Sequence, residues 1–210
     1  MEIGSVTDWI SALSTFGTLV VAYIALRKAP DWLAQKHYEK AFSAVEDSIF
    51  NELYNVRSSS LKLKEVFTRL SGIYIRSITA REDVPFSHLE AMQELTVYTT
   101  DFHKKAHTII NQIKAISRTR YEITGYTESI LDILVKTSER YNDLDGSLFI
   151  STGEASYLKH ADDTAIEITV KELRSIQKQA IETHKELSVL IIKIYDDNKP
   201  IDDFINFKKK

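Results

Sequence analysis

The sequence predicts an all-α protein, with an N-terminal transmembrane helix followed by an elongated antiparallel bundle of three to four long helices. Three observations carry that reading. Only six Gly and three Pro punctuate 210 residues, too few for the frequent turns of sandwiches, barrels and α/β folds. Apolar residues recur at spacings of three, four and seven over most of the chain, the period of a helix with one buried face. The third is an uncharged run near the N-terminus, long enough to cross a bilayer.

That run comes first in the chain. Residues 9–26 carry no charge, and as a helix they cover roughly 27 Å, near the thickness of a hydrocarbon core. Asp8 precedes the run and Arg27-Lys28 follow it. Trp9 and Trp32, the two tryptophans, bracket it as aromatic anchors at two interfaces would. A span over residues 9–28 then has Trp9, Arg27, Lys28 and Trp32 as its interface residues, with residues 1–8 a short extracytoplasmic terminus. Lys and Arg are absent before the span, while Arg27, Lys28, Lys36 and Lys40 follow it. The positive-inside rule puts the N-terminus outside and the rest in the cytoplasm. A cleaved signal peptide would need a basic start and a small-x-small cleavage site, and neither is present. The other rival is a buried helix of a soluble bundle, which the four hydroxyl residues in the run would suit.

Those hydroxyls are not scattered. At about 100° per residue, Ser11, Ser14, Thr15, Thr18, Ala22 and Ala25 fall within an arc of about 100°. A stripe of small residues lets two helix backbones approach closely, so this face is the expected self-association surface and homo-oligomer the expected state. Alternatively, the hydroxyls bond back to carbonyls four residues earlier and need no partner.

Beyond Pro30 the expected cytoplasmic bundle occupies residues 29–199. Phe42, Val45, Ile49, Val56, Leu63, Phe67, Leu70 and Tyr74 form the first stripe, with Ser58-Ser59-Ser60 as a candidate kink and residues 80–86 as a connector. Ser87-x-x-Glu90 fits a capping box opening the next helix. Its stripe is Leu95, Phe102, Ile109, Ile113 and Ile116; whether it stops near Ser117 or bends on through Gly125 is open from the sequence. The run from Asn142 to Gly146 reads as a stop. Leu173, Ile176, Ala180, His184, Leu187, Ile191 and Ile194 define the last helix, which Lys199-Pro200 ends. Residues 200–210 read as a basic tail.

Chemistry is scarce. The absence of Cys excludes thiolate zinc sites, iron–sulfur clusters and a Cys nucleophile. The glycines are too dispersed for a phosphate-binding loop, and a formal net charge of −3 gives no field for nucleic acid. No cofactor, no enzymatic activity and no direct nucleic-acid contact are expected. The weak metal candidates are His103 and His107, one helical turn apart with Asp101 nearby, which would imply a metal-dependent hydrolase; two solvent-facing histidines are the plainer reading. His160 beside Asp162 and Asp163 reads as a polar helical start. His184 lies on an apolar stripe, where it would need a partner and would be a candidate pH-sensitive switch.

The stretch Asp8-Trp9-Ile10-Ser11-Ala12-Leu13-Ser14-Thr15 entering a span, with Arg27-Lys28-Ala29-Pro30 leaving it, resembles the start of small, uncharacterised bacterial membrane proteins with a helical cytoplasmic part. Some of these are membrane effectors of anti-phage systems, including those accompanying retron-type reverse transcriptases. The resemblance covers about thirty residues and carries over no functional residue. It implies a place in the bacterial inner membrane, and a membrane-perturbing effector controlled by a cytoplasmic protein or ribonucleoprotein partner. The alternative role is a passive membrane-tethered scaffold or sensor.

Overall fold

The computed structural model describes residues 6–155, 158 and 162–208. Five long helices follow one another: α1 Val6–Val45, α2 Leu53–Ala80, α3 His88–Lys114, α4 Gly125–Ala155 and α5 Asp163–Asp197. A π-helical turn, Glu46–Glu52, joins α1 to α2 without a break. Two three-residue strands, β1 Tyr121–Ile123 and β2 Ile205–Phe207, pair antiparallel with Tyr121 opposite Phe207.

Helices α2 to α5 share one core. α2 packs against α3 and α5, and α4 packs against the same two. Cross-contacts fix the directions. Ser48, Ser59 and Arg69 of the first rod meet Gln112, Asp101 and Glu94 of α3, and Arg57, Ser60 and Thr68 meet Ser188, His184 and Gln177 of α5. Numbers rise on one helix as they fall on the other, so α2 runs antiparallel to both neighbours. At the centre Tyr141 stacks on Phe67 at 6.1 Å and takes the edge of Phe102 at 5.0 Å. All three rings are fully buried, each contributing about 2–3 kcal/mol through the area removed from water.

Local sequence explains most helix ends. α2 stops at Arg81, which turns left-handed (φ 56°) and donates its N–H to the carbonyls of Ser77 and Ile78. The capping box forms as expected. Glu90 N–H donates to Ser87 Oγ at 3.2 Å, and Ser87 N–H donates to Glu90 Oε2 at 2.7 Å. α5 is capped by Asp162, which accepts from Ala165 N–H at 2.8 Å, and it ends at left-handed Asn198 (φ 40°). α3 stops at Lys114, and the chain passes through a 3-10 turn and β1 before α4 opens at Gly125.

α1 runs through Pro30, whose missing N–H removes one backbone hydrogen bond. Three expectations are corrected. Ser58-Ser59-Ser60 is regular α-helix, with the Ser59 and Ser60 hydroxyls tied to Asp101 and to Tyr141 and His184; the irregularity sits at the π-turn instead. The run Asn142 to Gly146 does not stop α4, because buried Tyr141, Leu144 and Leu148 hold the helix through it. The tail is no loose end as far as residue 208. Phe204 is fully buried between Phe50 and Tyr126, and Ile205 is buried beside it. Lys209, Lys210 and His160 lie outside the described residues.

Candidate functional site

The most distinctive surface is the first part of α1. Trp9, Ile10, Leu13, Phe16, Leu19, Val21, Tyr23 and Leu26 are all at least half exposed. None of the most apolar 18-residue window is covered by the rest of the chain. Trp32 is exposed too, and Arg27 lies over the Tyr23 ring at 5.5 Å. Ser11, Ser14, Thr15, Thr18, Ala22 and Ala25 are exposed on the same rod. Thr15 donates to the Ser11 carbonyl at 2.9 Å and Thr18 to the Ser14 carbonyl at 2.8 Å. These two threonines therefore carry their own hydroxyl partners, and what the stripe offers a neighbour is closeness of approach.

The rod joins the body at a junction that the sequence reading did not single out. Ala41, Val45, Ile49 and Leu53 are fully buried at successive spacings of four. Over those twelve residues an ideal α-helix drifts by about 120°, which would fan the four side chains across a wide arc. The π-turn narrows the fan, because it takes up one surplus residue and reduces the drift to about 20°. The run of fours is the sequence signal for this junction.

A π-turn with one surplus residue leaves a carbonyl without its ordinary helical donor. Here the Tyr195 hydroxyl of α5 sits between two carbonyls of the turn, 3.3 Å from Ile49 O and 3.2 Å from Phe50 O. Ser48 donates to Gln112 Oε1 at 2.8 Å, and Phe50 meets the edge of Phe204. About two turns before the π-turn, Tyr38 donates to Asp202 Oδ1 at 3.2 Å; burial, followed by that carboxylate, pushes its phenol up. Beside the junction lies a cleft of about 410 Å³ lined in part by His37, Lys40, Asp47, Gln112 and Arg118. His37 Nδ1 is buried there without a hydrogen-bond partner.

The two histidine candidates separate. His184 is half-buried, with Nδ1 at 3.0 Å from Ser60 Oγ and Nε2 at 3.2 Å from Ser188 Oγ. Ser60 also meets the Tyr141 hydroxyl at 2.8 Å, and Arg57 Nε donates to Ser188 at 3.4 Å. Burial, then the Lys64 and Arg57 charges, hold the imidazole below its usual range, so it is neutral at pH 7. The result is a hydroxyl–imidazole chain crossing α2, α4 and α5, a structural tie with both ring nitrogens engaged.

His103 and His107 stack at 6.1 Å. His107 is exposed and His103 half-buried, and burial, with His107 adding to it, depresses the His103 imidazole. Asp101 does not turn to them; it accepts from Ser59 at 2.6 Å and from Lys105 at 2.7 Å. Among the described residues no group of three His, Asp or Glu side chains is placed to hold an ion.

Comparison with protein-family models, with curated proteins and with solved structures finds no match for this chain.

Proposed function

We propose that this chain is a membrane-anchored helical interaction protein, with residues 9–28 as its span and the packed body on the cytoplasmic side. The single observation that carries the reading is the bare apolar rod. A core helix of a soluble body would be covered, and this one is exposed throughout its most apolar window. Contiguous apolar surface on that scale needs lipid or another chain against it. The absence of Lys and Arg before the rod and their clustering after it support the orientation.

Interaction is the stated mode of action. The small-residue face carrying Ser14, Thr18 and Ala22 packs against the same face of a second copy, and the body answers to a cytoplasmic protein or ribonucleoprotein. If clustering of spans perturbs the membrane, the chain is an effector. A second reading, a passive tether, is favoured by the self-satisfied hydroxyls of Thr15 and Thr18.

Topology comes first. The natural chain has no Cys, so Thr7→Cys and Glu82→Cys, both at exposed positions, are labelled in intact cells with an impermeant maleimide. Labelling at position 7 in intact cells, and at 82 only after permeabilisation, is expected. A protein released by carbonate, with neither position reactive before lysis, overturns the anchor. Expression toxicity relieved by Thr18→Leu is the expected mark of the effector; harmless expression supports the tether.

A further inference from the structure

We propose that the π-turn Glu46–Glu52 is a rotational clutch between body and anchor, with the Tyr195 hydroxyl as its latch. The proposal rests on reading α1 as a self-associating span, and concerns how that association is controlled. The turn holds one residue more than an α-helical path needs. Two of its carbonyls, Ile49 O and Phe50 O, are within hydrogen-bond reach of the Tyr195 hydroxyl, which stands near the end of α5, three residues before the left-handed Asn198. When the latch lifts, the turn relaxes to α-helix. The rod upstream then rotates by about 100° and shifts by about 1.5 Å relative to the body.

After that rotation every upstream residue stands where its predecessor stood. The place of Thr18 passes to Leu19, so the small face no longer points in its former direction relative to the body. The same arithmetic shows why the latched state is the resting one. The fully buried place of Val45 would pass to Glu46, and that of Ala41 to the larger Phe42. Glu39 would replace Tyr38 beside Asp202, setting two carboxylates together where a hydrogen bond now stands. The tail reaches the same junction, through Asp202 on Tyr38 and Phe204 on Phe50. A partner that draws the tail or the end of α5 away from α1 therefore acts directly on the latch. Packed interfaces of this kind are bistable rather than continuously deformable, which lets a small displacement at α5 become a whole step of the anchor.

The experiment uses the full chain in membranes. Two double variants, Tyr38→Cys/Asp202→Cys and Glu39→Cys/Asp202→Cys, report the phase of α1 within one molecule through closure by a short bifunctional maleimide, which matches the reach of a tyrosine side chain and its hydrogen bond. In the otherwise natural chain the 38/202 pair is expected to close and the 39/202 pair to stay open. Adding Glu46→Leu, which makes the alternative phase apolar, together with Tyr195→Phe, which removes the latch, should reverse that preference. Persistence of 38/202 closure in a chain of unchanged helicity overturns the clutch. If that background loses its helicity, Glu46→Leu alone is read in the same way.

Deletion of Asn51 removes the surplus residue while leaving both faces in phase. It should keep 38/202 closure and make it indifferent to Tyr195→Phe; loss of closure refutes the one-residue account. Cross-linking between protomers is read separately, with Thr18→Cys and Leu19→Cys. The maximum should move from 18 to 19 when the phase reverses. No cross-link at either position in any background overturns self-association, while the intramolecular pairs still decide the clutch.

Discussion

Replacing Phe204 with Ala asks whether the last residues of the chain belong to the core. The ring is fully buried, edge-on to Phe50 at 5.7 Å and to Tyr126 at 5.2 Å. Its backbone is held independently, because the Phe204 carbonyl accepts from Thr127 Oγ1 at 2.7 Å and from Thr124 N–H at 3.0 Å. The segment therefore stays in place and cannot collapse into the space the ring leaves. Phe→Ala changes in such sites cost about 3–5 kcal/mol. For a chain of this size that lowers Tm by about 10 °C. Phe207 is the control: it is 56% exposed and meets the edge of Tyr121, so Phe207→Ala should cost under about 1 kcal/mol. Thermal unfolding followed by far-UV circular dichroism, on the full chain in detergent, measures both. Equal, small shifts for the two variants would refute the claim that the tail completes the core.

Gly146 lies exposed in the middle of α4, and a Cβ there would meet nothing within 4 Å. Gly146→Ala should therefore stabilise by about 0.5–1 kcal/mol, read as a rise in Tm. Tyr141→Phe removes the hydroxyl bonded to Ser60 and leaves the ring stack intact; a loss of about 1 kcal/mol is expected in the same assay. His184 and His103 are both depressed, first by burial, so the folded state binds fewer protons than the unfolded one. Their contribution is complete above about pH 6.5 and is lost as pH falls from there toward the folded values. Tm followed from pH 7.5 downward should fall in the natural chain and fall less in His184→Gln, and parallel curves would refute the assignment. Asp101 shifts in the same direction for another reason: burial opposes its charge, but Lys105 and Ser59 outweigh it and hold the carboxyl low. Its share should persist until pH drops below about 4, a region that Asp101→Asn would flatten.

Sequence periodicity was most informative where one helix face is apolar and its ends carry chemical caps. α5 follows the stripe from Leu173 to Ile194, and Ser87 with Glu90 marks the start of α3 to the residue. It misled where polar residues lie on a helix whose other face is deeply buried. Asn142, Asp143 and Gly146 look like a stop, yet they are the outer face of a helix held by Tyr141, Leu144 and Leu148. The β1–β2 pair escaped notice because three-residue strands have no periodicity to read, and their partners are far apart in the chain. Of the candidate site, the apolar rod is visible in its uncharged run and the small-residue stripe in its helical spacing. The junction is legible only through the phase of Ala41, Val45, Ile49 and Leu53, and its latch, Tyr195, comes from a helix nearly 150 residues away. No local pattern announces such a contact.

The pairing of α2 with α5 also governs how this molecule reaches its folded state. The helical hairpins α2–α3 and α4–α5 join neighbours in sequence and can zip early. The contacts of α2 with α5 must instead close a ring spanning most of the body, as Arg57 on Ser188 and Ser60 on His184 show. Loop closure of that length is an entropic barrier met before its contacts give any return. Two hairpins would thus form quickly and wait for each other, their unmatched apolar faces open to solvent in the interval. Chaperone dependence and aggregation during synthesis would concentrate in that interval, and variants at the α2–α5 seam would change the yield of folded chain more than the properties of the chain once folded.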